Sequence, residues 1–205
     1  MFPPQKYNRF TLSDIDNLGV QVVRQKFLEQ QKLPVSEWLQ QTLSINMKMP
    51  IGTEKAASEF VVLPILNEWA EKNPARFTLF SGYELNVVKS KGLSGRCDYL
   101  IAGKPQLLHI QAPLCCVVEA KLGAVTDNNN IAQCIAEMYA AQLFNEQKQT
   151  PMPAVHGIVT SGFDWLFMRL QQQKVEQHPN IYSIAQLPEL LGALQQIIDY
   201  YPPLR

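Results

Sequence analysis

Leu114-Cys115-Cys116-Val117-Val118 is an unbroken apolar run that passes directly into Glu119-Ala120-Lys121. A short run with no alternation reads as a strand buried on both faces, and such a strand needs helices above and below its sheet. Pro113 interrupts the wider apolar stretch from Leu107 to Leu122, so the strand is expected over 114–121. A chain of 205 residues, 46% hydrophobic and 18% charged, has enough apolar surface to build such layers without disulfides or a structural metal.

The remaining pattern supplies the layers. A helix is predicted over 54–72, with Phe60, Val61, Leu63, Ile65, Leu66 and Trp69 on its apolar face and Pro64 kinking or breaking it. Period-two runs through 77–87, with Ser81-Gly82 as a bulge, and through 96–101 predict strands. Asp127 to Asn130 are capping residues for a helix over about 130–145, with Ile131, Ile135, Met138 and Ala141 on one stripe. Residues 156–160 and 165–170 read as a hairpin, and a last helix runs from about Pro188 to Tyr200. The expected fold is α/β, a central mixed β-sheet flanked by helices, over residues 51–205. Residues 1–50 read as an N-terminal helical arm, with one helix over 12–27 and another over 36–43; the arm either packs on the main body or makes a homodimer.

Eighteen basic and eighteen acidic side chains give no net field, which argues against a protein that coats DNA. The local exception is Lys89, Lys91 and Arg96, whose ordinary reading is a solvated loop. The four cysteines have neither metal-binding spacing nor disulfide density, and Met1-Phe2-Pro3-Pro4 does not open a signal peptide, so reduced thiols and a cytoplasmic location are expected, with no membrane span.

On a strand, Glu119 and Lys121 project to one face, and both interrupt an apolar run. Burying two charges costs several kcal/mol unless a closed ion pair or a metal compensates. If the strand bearing Asp98 pairs with this one, two carboxylates and an ammonium converge, a donor set suited to a hard ion such as Mg²⁺. The ammonium would then orient or deprotonate a water, or neutralise charge in a transition state. The plainer reading is an exposed Glu119–Lys121 pair of about 1 kcal/mol or less.

Gly95-Arg96-Cys97-Asp98-Tyr99, then Val117-Val118-Glu119-Ala120-Lys121, then Gln133-Cys134-Ile135-Ala136-Glu137-Met138 resembles the PD-(D/E)XK nuclease-like superfamily, the restriction-endonuclease-like fold. Residues 58–66 are similar to its first core helix and residues 158–167 to the hairpin after its catalytic helix. The resemblance implies that Asp98 and Glu119, with the carbonyl of Ala120 and the carboxylate of Glu59, bind Mg²⁺ or Mn²⁺. Lys121 would serve the attacking water, and Gln133 would orient Lys121 or touch the nucleic-acid backbone. Cys97 stands where the family name has proline, and Glu137 where some of these nucleases carry tyrosine. A metal-dependent nuclease acting on DNA or RNA is therefore expected, with Lys89, Lys91 and Arg96 holding phosphate near the site. The alternative is a non-catalytic binding or assembly module on the same fold.

Overall fold

In residues 6–202, the part of the chain described by the computed structural model, helices cover both faces of an eight-stranded mixed sheet. In chain order the elements are α1 (Leu12–Asn17), β1 (Gln21–Arg24), α2 (Glu37–Asn46), α3 (Glu54–Ala57), α4 (Leu63–Glu71), β2 (Thr78–Glu84), β3 (Arg96–Ala102) and β4 (Leu114–Ala120). There follow α5 (Asn128–Gln147), β5 (Val155–Thr160), β6 (Asp164–Gln171), β7 (Lys174–Gln177), β8 (Tyr182–Ser183) and α6 (Leu187–Asp199). The strand order is β1-β7-β6-β5-β4-β3-β2, with β8 beside β6. The pairs β4–β5 and β1–β7 are parallel and the others antiparallel. Joining parallel β4 to β5 requires a crossover, and α5 is that crossover.

Every residue of β4 is buried, as its apolar run demands. On one face Leu114 and Val117 join the cluster that holds Ile131, Ile135 and Met138 of α5. On the other, Cys115, Val118 and Ala120 join Ile65 and Leu66 of α4 and Leu194 and Ile197 of α6. Two devices hold α5 against the sheet. Gly157 of β5 has no side chain where a Cβ would overlap Met138 Sδ. Asn145 clamps the start of β4, its Oδ1 accepting Leu114 N–H and its Nδ2 donating to Leu114 O, both at 2.7 Å. The outer side of α5 is covered in turn by Tyr7, Phe10 and Ile15, and the polar positions 133, 137 and 145 of the helix are buried.

The helix expected over 12–27 is instead α1 followed by an edge strand. A capping box between Thr11 and Asp14 starts α1, and Gly19, left-handed at φ +79°, ends it. The β-branched pair Val22-Val23 then runs parallel to β7. Residues 6–50 thus pack on the main body. The second helix of the arm is α2, opened by Ser36, whose N–H and hydroxyl both bond Glu68 of α4.

Pro64 does not break its helix. Between α3 and α4 the chain makes a π-turn, Ser58–Val62, with Leu63 N–H returned to Ser58 O. Pro64 has no N–H for the carbonyl of Phe60, and Asn46 Nδ2 donates to that oxygen at 2.8 Å. At Ser81-Gly82 no bulge forms, since the β2–β3 register is the same on both sides, but Gly82 adopts φ +71°. Among the described residues no helix is long and apolar enough to cross a membrane, and the four cysteines are free and buried.

Candidate functional site

Tyr99 lies opposite Val118, and Leu100 opposite Val117, in the antiparallel β3–β4 pair. One step further in that register Asp98 meets Glu119. The alternation of β3 breaks at this point. Leu100 and Ala102 pack toward α5 and Tyr99 and Ile101 toward α4, yet Cys97 packs toward α5 as well. Asp98 sits at the break, between the pairs Ser81–Tyr99 and Tyr83–Cys97 and therefore across from Gly82. Its carboxylate reaches along the sheet to β4, where Oδ2 accepts the Ala120 N–H at 2.8 Å.

Glu119 points toward α5 and is 2% exposed. Its Oε1 accepts from Lys121 Nζ and from Gln133 Nε2, both at 2.6 Å, while Oε2 is buried without a partner among the described residues. The predicted same-face geometry of Glu119 and Lys121 is thus present, and the pair is buried rather than solvated. Gln133 Nε2 also lies 3.1 Å from Oε1 of Glu137, a wholly buried carboxyl whose Oε2 has no partner among the described residues.

The electrostatics follow from this crowding. Burial, and then the charge of Asp98, push the Glu119 carboxyl up to about 7 despite the ammonium of Lys121. Burial raises Asp98 too, against the opposing pull of the Ala120 N–H. Glu137 is pushed well above the carboxylate range by burial and by Glu119. Burial alone would pull the Lys121 ammonium down, but the charge of Glu119 overcomes it and leaves Lys121 above the usual lysine value. Carboxyls that raise one another define a place where added positive charge is stabilising.

A cleft of about 390 Å³ opens onto the cluster, and Lys121, Gln133 and Arg96 line it. Gln133 orients Glu119 directly, rather than Lys121. Arg96 is at the cleft, whereas Lys89 and Lys91 stand exposed on a 3-10 turn before β3 and do not line it. Glu59, expected as a further ligand, is not brought in. It lies one helical turn after Lys55 and pairs with that side chain at 3.7 Å on the surface. Glu54, in the first turn of α3, is the carboxylate that approaches instead, accepting Leu122 N–H at 3.5 Å and acting on Asp98 and Lys121 through its charge.

Among the described residues no three His, Cys, Asp or Glu side chains converge as a metal-holding group. The oxygens at hand are those of Asp98 and Glu119 and the carbonyl of Ala120 between Glu119 and Lys121. They fit a hard divalent ion, which takes oxygen ligands and keeps several waters; the unpartnered Oε2 of Glu119 is the atom that such an ion would satisfy. Glu137, Glu54 and the residues near the start of the chain escaped sequence reasoning. Only Glu137 left a trace, four residues after Gln133 and so on the same helix face. No protein-family model, curated protein or solved structure matches the chain.

Proposed function

We propose that this protein is a metal-dependent phosphodiesterase acting on nucleic acid, with Asp98, Glu119 and the Ala120 carbonyl holding Mg²⁺ or Mn²⁺ and Lys121 serving the attacking water. The observation that carries the reading is the meeting of Asp98, Glu119 and Lys121 at one end of the β3–β4 pair, beside an open cleft that Lys121 lines. The ion, when bound, activates water and balances the charge that develops on phosphate. The chain's own residues prepare for it. Ala120 N–H fixes one oxygen of Asp98, and Gln133 fixes Oε1 of Glu119 so that Oε2 stays available. Lys121 holds its proton under the influence of Glu119, so its Nζ donates to a reacting oxygen rather than removing a proton from it.

The test is cleavage of single-stranded and duplex DNA and of RNA in Mn²⁺, by the wild-type chain and by Asp98→Ala and Lys121→Ala. Each variant is expected to lose about 100-fold or more in rate while its circular dichroism remains that of the wild type. A wild type that cuts none of these substrates, or variants that cut at its rate, would retire the enzymatic reading in favour of a binding module.

A further inference from the structure

The cleft lined by Arg96, Lys121 and Gln133 has a wall that its β-strands do not supply. Tyr7 is 1% exposed, its hydroxyl donates to Leu85 O at 2.6 Å, and its N–H meets Ser94 O at 3.4 Å. Its ring covers Gly95, where an added Cβ would approach Tyr7 Cδ2 to 3.0 Å and where φ is +150°. Glycine at position 95 is therefore what allows the ring to close over the start of β3. Anchored by this ring, the neighbours of Tyr7 in sequence, Lys6 and Asn8, line the cleft opposite the strand ends.

The charge of the cleft is uneven. Lys6, Arg96 and Lys121 line it against one carboxylate, Glu84, which lies across the ladder from Arg96 and accepts from Asn86 Nδ2 at 3.0 Å. Lys121 is committed to Glu119. Lys6 and Arg96 have no ion-pair partner among the described residues, and Lys6 is exposed. Two uncommitted cations and an amide donor around a small cleft are chemistry for an anion, and beside Lys121 and Gln133, the partners of Glu119, that anion is a phosphate adjoining the one attacked.

We propose that the N-terminal segment is part of the binding site, and that Lys6, with Arg96, holds a backbone phosphate of the bound strand. The proposal rests on the phosphodiesterase reading for the identity of the anion. Its test avoids catalysis. Binding of a short fluorescein-labelled single-stranded DNA is followed by anisotropy in EDTA over a series of salt concentrations. The full chain is compared with Lys6→Gln and with Lys104→Gln, a control at the opposite end of β3. Losing one phosphate contact on a single strand lowers the salt slope by about 0.7 and raises Kd about fivefold or more at about 50 mM salt. Lys6→Gln is expected to show both with an unchanged Tm, and Lys104→Gln neither. Wild-type affinity and slope in Lys6→Gln, or no binding by the wild type, would overturn the proposal. A chain that binds through Lys6 but cleaves nothing loses the phosphodiesterase reading and keeps this one; a chain that cleaves with Lys6 irrelevant does the reverse.

Discussion

Replacing Glu119 by Gln removes the charge on which the site's electrostatics turn while keeping its shape. In the folded chain the Glu119 carboxyl sits at about 7 against a usual 4.5, because it is buried beside Asp98. A group raised on folding weakens the fold when ionised and ceases to do so once protonated, so its contribution improves as pH falls. Between pH 8 and pH 4.5 the displacement amounts to about 3 kcal/mol. Absolute stability hides this, because other groups run the other way. Burial and Arg169 depress His156 to about 3, so it stays neutral while the unfolded chain takes up a proton, which costs stability as pH falls below 6.5. The difference between wild type and Glu119→Gln cancels such terms. Urea unfolding across that range should show the wild type gaining about 3 kcal/mol on the variant as pH drops, mostly between pH 7 and 4.5. Glu137, which Glu119 pushes up, acts in the same direction. A difference that stays flat with pH, or a wild type that gains on the variant as pH rises, would refute the picture of an ionised carboxylate held at a cost.

Three further outcomes follow from packing. Gly157→Ala places a methyl on Met138 Sδ and within 3.0 Å of Cys134 Sγ; it should cost about 1–3 kcal/mol in urea unfolding and be relieved in part by Met138→Ala. Gly192→Ala drives a Cβ into the backbone carbonyl of Gln31, which cannot swing aside as a side chain can. Limited proteolysis should then cut the 25–35 segment faster than in the wild type, where that segment is strapped over α6. Asn46→Ala leaves the Phe60 carbonyl without its donor next to Pro64 and should lower stability by about 1–2 kcal/mol, with a smaller loss in a Pro64→Ala background, where the backbone N–H returns.

The double-sided burial of β4 was legible because an apolar run of that length has few other homes, and the pairing of Glu119 with Lys121 followed from strand period alone. The capping run at 127–130 placed α5 correctly. What was not legible depends on partners far away in sequence. β1 and β7 pair across about 150 residues, and β7 carries one apolar side chain, Val175; its Glu176 is held instead by Arg169 across the ladder and by Lys174. Gln133 and Glu137 look like surface positions on a helix until α1 and Tyr7 are laid over them. The exchange of Glu54 for Glu59 is a local matter by contrast, Glu59 lying on the surface beside its i,i+4 neighbour Lys55. Tyr7 gave no local sign of its role, because its hydrogen bond and its glycine contact lie 78 and 88 positions away.

Diffraction from crystals soaked in Mn²⁺, collected at the manganese edge, tests the central assignment most directly. An anomalous peak in contact with the carboxylates of Asp98 and Glu119, absent from Asp98→Asn crystals, is the predicted result. A peak elsewhere on the molecule, or a cluster that keeps Glu119 closed on Lys121 with no peak at saturating Mn²⁺, would contradict it.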